Sequence, residues 1–128
     1  MAMLTLIVCA VITTAASVEP DTRYTNLQVL PKNIKPAELN KIMLDDFEDG
    51  LGVGCNFCHA PDKSDSTKLD YASDAKPEKK IARLMMHMTL GINKQYFQVK
   101  SPALGNPLMA VTCSTCHNGQ PRPAMSSE

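Results

Sequence analysis

Cys-x-x-Cys-His occurs twice in a chain of 128 residues, as CNFCH at 55–59 and CSTCH at 113–117. Each copy fixes two thiols three positions apart with an imidazole directly behind them, so the chain must turn sharply at two places and present three reactive or ligating groups at each. The spacing is that of haem c attachment: the thiols add to haem vinyl groups as thioethers, and the next residue's imidazole takes the iron from one face. Four cysteines in two pairs would also serve a zinc ion or, in an exported protein, two disulfides. Neither alternative demands a histidine after both pairs, and the 58 residues from Cys55 to Cys113 are long for a zinc ribbon. The repeat therefore favours two covalently attached haem c groups, held by Cys55, Cys58, Cys113 and Cys116, with their irons on His59 and His117.

Composition supports this from another side. Aromatic residues make up 5% of the chain and tryptophan is absent, so a large side-chain core is not expected and a cofactor would have to fill the middle. Thirteen basic and thirteen acidic residues balance, with no long like-charge run or basic stripe. No nucleic-acid partner is expected on that ground.

The opening MAMLTLIVCAVITTAAS carries no charge and ends in small residues, the pattern of an export signal, expected over 1–16 with a single domain over 17–128. No lysine or arginine precedes the apolar run, and three other readings stand beside it: a retained membrane anchor, a lipidated Cys9, or a start upstream of Met1. About 20 apolar residues are needed to cross a bilayer, more than this run supplies. Val8 is a poor neighbour for a lipidated cysteine. The expected location is periplasmic or otherwise exported, with membrane association through the N-terminus or a partner complex left open.

Beyond the leader, VEPDTRYTNLQVLPKN reads as an extended segment punctuated by Pro20 and Pro31. PAELNKIMLDDFEDG predicts a helix with proline at its first position, an apolar stripe of Leu39, Ile42, Met43 and Phe47, and Gly50 as the stop. From Pro61 to Lys76 the chain is polar and reads as a loop that covers part of one haem. PEKKIARLMMHMTLGINKQYF predicts the strongest helix, with Ile81, Leu84, Met85, Met88, Ile92 and Tyr96 on one stripe and Met86 and His87 off it. VKSPALGNPLMAVT connects to the second motif, and NGQPRPAMSSE is a mostly irregular tail. No convincing strand pattern appears, so the expected fold is mainly α, helices and loops wrapped around two haems.

Three histidines are present, and the motifs consume His59 and His117. Only His87 remains, so two bis-histidine haems cannot come from this chain alone. Methionine is the natural sixth ligand, a neutral soft donor that favours ferrous iron. Met43 and Met85 each lie on the apolar stripe of a helix upstream of a motif; Met86, Met88, Met109 and Met125 are the others beyond the leader. Ordinary core filling is the competing use of a methionine on such a stripe, and pattern alone does not separate Met85 from Met88. His87 reads as a surface histidine. Arg83 and the neighbouring lysines read equally as propionate partners or as a solvated charged face.

The stretches NFCHA, LDYASDAKPEKKIARLMMHMTLGIN and VTCSTCHNGQPRP resemble the cytochrome c subunit of photosynthetic reaction centres, and more closely the short exported dihaem relatives of its amino-terminal half. The resemblance runs from about Asn26 to Pro123, and A-R-x-M-x-x-M-T-x-x-I-N at 82–93 is its most specific part after the two motifs. It implies units in which a helix supplies the axial methionine and Cys-x-x-Cys-His closes the opposite face. Carried over, Met43 ligates the haem of Cys55, Cys58 and His59, Met85 ligates that of Cys113, Cys116 and His117, and Met88 packs. The four-haem subunit also uses a histidine shortly after this helix. Here YFQVK has Val99 near that place, which suits a chain with no further haems to serve.

A six-coordinate His/Met haem leaves no vacant position for substrate, so the expectation is single-electron transfer between a donor and an acceptor redox protein, not enzymatic turnover. A dihaem peroxidase would need one open or displaceable iron and is usually a much longer chain. The other rival is a haem-bearing subunit or polymer-forming unit that docks in a larger electron-transfer assembly, and oligomeric state stays open.

Overall fold

The computed structural model describes residues 24–124. The expected leader at 1–16 and Met125 lie outside them. Helix α1 (Pro36–Lys41) runs without a break into a wide π-helical stretch, Ile42–Asp49. A 3₁₀ turn, Cys55–Phe57, is followed by two short strands, β1 (Ala60–Pro61) and β2 (Leu69–Asp70), then α2 (Pro77–Tyr96) and α3 (Cys113–His117). The architecture is mainly helical, as expected. Among the described residues no helix is long and apolar enough to cross a membrane.

Pro36 begins α1 where a missing amide costs nothing, and Glu38 in the first turn complements the helix dipole. The expected stripe forms: Ile42 is fully buried, and Leu39, Met43 and Phe47 pack around it. Gly50, expected as the stop, is instead a buried helical residue whose added Cβ would lie 3.3 Å from Cys113 Cβ. The chain leaves the helix at Gly52, with φ of +63°; a Cβ there would stand 2.2 Å from the Gly119 carbonyl oxygen. Only glycine combines that backbone with that approach. Gly105 plays a similar part, its added Cβ meeting Ile42 Cγ1 at 3.0 Å while its amide donates to Asp46 Oδ2 at 2.9 Å.

The side-chain core is small. Ile34, Ile42, Met86 and Leu104 are its buried hydrophobics among the described residues. Helix α2 contributes to it by an unexpected face: Met86, Thr89 and Asn93 are buried, whereas Ile81, Leu84, Met85, Met88 and Tyr96 stand exposed. Periodicity finds rows of side chains but not which row meets protein atoms. Here the polar Thr89 and Asn93 go inside because Asn93 finds partners for its whole carboxamide, whereas the apolar row is left without protein cover.

The 61–76 segment has more structure than a plain loop. β1 and β2 pair antiparallel, Ala60 with Asp70 and Pro61 with Leu69. Asp62 Oδ1 accepts the amides of Ser64 and Asp65, and Asp70 Oδ1 those of Ala72 and Ser73. Such short aspartate-centred turns give the backbone partners where neither helix nor sheet does.

Candidate functional site

The first motif leaves a glycine-rich exit from the helix and closes as a 3₁₀ turn, with the His59 amide donating to the Cys55 carbonyl at 3.0 Å. Lys76 Nζ reaches back to the Asn56 carbonyl and ties the far end of the 61–76 segment to this turn. His59 is half-buried, its ring edge-on to Tyr71 with centroids 5.0 Å apart. Its Nδ1 is buried with no hydrogen-bond partner. Burial lowers the ring's pKa, the Lys79 ammonium pushes the same way, and the Tyr71 backbone opposes both less strongly. The imidazole is therefore neutral at neutral pH, the form that ligates a metal.

The second motif is a single helical turn, α3. Thr112 and Thr115 form a capping box at its start, with the Thr112 amide donating to Thr115 Oγ1 at 2.9 Å. Asn118, left-handed with φ of +47°, ends it. His117 Nδ1–H donates to the Gln120 carbonyl at 2.9 Å, which sets the tautomer and leaves Nε2 as the free lone pair. The turn packs on the end of the first helix: the Gly119 amide donates to the Gly50 carbonyl at 3.1 Å.

All four motif thiols are free. Burial raises the Cys58 pKa and pushes that of Cys113 up to about 11, with nearby carboxylates adding to both. Thiols so held stay protonated, the opposite of a thiolate tuned for redox exchange. Zinc fits no better, since among the described residues no three His, Cys, Asp or Glu side chains gather as a metal site. The two pairs stay apart, each with its own histidine.

Haem c fits what is present. Each motif offers two free thiols and an imidazole, and a row of apolar side chains on α2, Ile81, Leu84, Met85 and Met88, stands exposed. Exposed apolar rows of this kind ordinarily have something to cover them. Met85 is 38% exposed and Met88 47%, so burial does not separate the two candidates. Met43 is half-buried against the small core, as is Met109, whereas Met86 is a buried core residue. His87 is exposed, as expected.

Arg83 and Lys79 are not a solvated face, since their side chains are 15% and 12% exposed and both engage Asp74. Arg83 Nη2 lies 2.8 Å and Lys79 Nζ 3.4 Å from Asp74 Oδ1. Asn26 donates to the same carboxylate at 2.9 Å. Arg83, then Asn26, then Lys79 hold the Asp74 carboxyl well below the usual carboxylate range. Lys80 and His87 remain on the outer face beside Leu84, lining a cavity of about 470 Å³ together with Gln28, Val29 and the Asp74–Arg83 pair.

Three features were not read from the sequence: the network around Asp74, the Thr112–Thr115 cap, and the bonding of Asn93, although that residue closes the 82–93 pattern. A threonine directly before a short helical motif was a usable signal for the cap. A lone polar side chain near the end of an apolar-periodic helix was a weaker one for Asn93.

Comparison with known proteins comes to the same place as the residues. The family model described as photosynthetic reaction centre cytochrome C subunit matches residues 6–126. Cytochrome c-554 of Chloroflexus aurantiacus is 32% identical over 96 residues, which cover 75% of this chain and 20% of that protein. The photosynthetic reaction center cytochrome c subunit of Rubrivivax gelatinosus is 36% identical over 70 residues, 55% of this chain and 15% of that one. Its counterpart in Thermochromatium tepidum is 26% identical over 106 residues, 77% and 25%. The chain thus spans a quarter or less of the length of these relatives. No solved structure matches.

Proposed function

The chain belongs to the photosynthetic reaction centre cytochrome c subunit family, and from that premise we propose that it is an exported dihaem c-type cytochrome carrying single electrons between a donor and an acceptor protein. The observation that carries the reading is the pair of complete motifs with free thiols, together with an exposed apolar row on α2. Cys55 and Cys58 hold one haem with His59 on its iron, and Cys113 and Cys116 hold the other with His117. Met43 and Met85 would supply the remaining ligand to each iron. Haem held this way supplies reversible one-electron chemistry at iron without a vacant coordination position.

The protein's own residues do the rest. His117 Nδ1–H, held by the Gln120 carbonyl, keeps Nε2 aimed away from the turn. Ile81, Leu84 and Met88 supply an apolar wall that excludes water and favours the less charged, reduced state. The Asp74 network fastens the 24–30 segment and the 61–76 segment to α2, so that the wall does not shift with the loop.

A second reading, a subunit that works docked in a larger assembly, has its own support. Two of the relatives are named as subunits, and Tyr96, Phe97 and Leu108 are exposed apolar side chains at and after the end of α2. Sedimentation across a range of concentrations, alone and with a membrane fraction, separates it from the free carrier.

The primary test is a redox-titrated visible and near-infrared spectrum of the matured protein. Two haems per chain, each with the methionine-to-iron charge-transfer band and neither taking up carbon monoxide, is the expected result. A high-spin iron that binds ligand readily would move peroxidase or sensor chemistry to the front.

A further inference from the structure

Asn93 is the one polar side chain among the described residues with no exposed surface at all. Its carboxamide is fully used. Nδ2 donates to the Thr89 carbonyl at 2.9 Å and to the Val111 carbonyl at 2.7 Å; Oδ1 accepts the amides of Ala110 at 2.7 Å and Val111 at 3.1 Å. Three of these four bonds go to residues 110 and 111, immediately before Thr112, which caps α3. The backbone carbonyl of Asn93 also accepts the Val99 amide at 3.1 Å, so the residue holds the chain that follows α2 as well.

We propose that Asn93 is the positioning residue of the second haem site: it locks the chain entering the CSTCH turn onto the methionine-bearing helix and so fixes the separation of Met85 from His117. The inference rests on the dihaem reading above. Met85 and Asn93 are eight residues apart, roughly 12 Å along the helix axis, on a stretch with no proline inside it. From Asn93 the connection to His117 passes through two hydrogen-bonded residues, a cap and one helical turn, with no free segment between. The first motif has no such tie to a helix through a buried side chain. An axial bond from a neutral thioether is weak, and a site that must keep it needs its two ligands held at fixed spacing by the protein.

The test is Asn93→Ala in the matured two-haem protein, with the first haem as internal control. The charge-transfer band should fall to about half its intensity, one iron should take up carbon monoxide, and one of the two potentials should drop, while mass still shows both haems attached. Unchanged band, ligand binding and potentials would overturn the proposal. So would equal changes at both haems, which mean a general loss of folding.

Should Asn93→Ala not accumulate, Asn93→Asp keeps an acceptor for Ala110 and Val111 and removes both donors. Its expected effect is a shift confined to the second haem, judged by the same criteria. A readout independent of haem is amide hydrogen exchange in the wild-type protein. Ala110 and Val111 should exchange as slowly as the interior of α2, and exchange at the rate of an open loop would overturn the clamp. If the wild-type protein lacks two methionine-ligated haems while these amides are protected, the functional reading fails and the clamp stands.

Discussion

The two Cys-x-x-Cys-His copies share a chemical code and differ in almost everything that holds them. CNFCH follows Gly54, makes a bare 3₁₀ turn, and leaves His59 Nδ1 buried without a partner. CSTCH follows Thr112, makes a capped helical turn, gives His117 Nδ1 the Gln120 carbonyl, and hangs from Asn93 through residues 110 and 111. The five-residue motif sets which bonds can form; the residues on either side set how firmly the ligands are held and how basic they are. The first site borrows order from a distance, through Lys76 on the Asn56 carbonyl and Tyr71 against the His59 ring. The second carries its order locally.

Met43→Ala is the strongest way to break this contrast. It should open the first iron to carbon monoxide and lower that potential by ~0.1 V, a fraction of the ~0.8 V that axial ligands span. Because the end of Met43's helix packs against Cys113, a change at the second haem instead would reassign Met43 to the other site. A smaller effect follows from the histidines. A donated Nδ1–H makes a ligating imidazole more basic, so the two potentials should split with the second haem the lower. Spectroelectrochemical titration combined with the Met43→Ala assignment checks it, and a single shared potential would remove the distinction.

Next comes the local order itself. Thr115→Val removes the acceptor for the Thr112 amide and should cost ~1 kcal/mol, whereas Asn56→Ala in the first motif should stay within about 0.5 kcal/mol. Denaturant titration of both variants compares them, and equal losses would mean that the cap is idle. The last is a pH effect in the borrowed order of the first site. The folded state holds the Asp74 carboxyl below its unfolded value, so its share of stability is complete above about pH 4 and is lost as pH falls further. Asp74→Asn should be less stable at pH 7 and lose less between pH 4 and pH 2. An unchanged acid limb would show that the Asp74–Arg83 pair does not carry it.

The attachment chemistry was legible because it lives in five contiguous residues. So was the first helix, where proline, the stripe around Ile42 and the acidic first turn agree. What escaped were choices made by distant partners. The apolar row of α2 is the obvious one to bury, yet Met86, Thr89 and Asn93 go inside because a segment 17 and 18 residues further on brings amides and a carbonyl that only a carboxamide can satisfy at once. Gly50 looked like the end of a helix because glycine commonly is. Its actual use is to let α3 sit against it, with the ending left to Gly52. The 61–76 segment read as unstructured because aspartate-centred turns have no periodicity to detect.

The backbone bond from the Gly119 amide to the Gly50 carbonyl also says something about the order of assembly. It joins positions 69 residues apart in the chain, and closing so large a loop is entropically expensive until intervening pieces have shortened the search. α2, whose backbone bonds are local, is expected to form first and to shorten the stretch between residues 50 and 119. The seating of the second motif is then the slow, late event of refolding. Pulsed amide exchange would see this as protection inside α2 preceding protection at Gly119, and simultaneous protection would show that the loop closes with the rest.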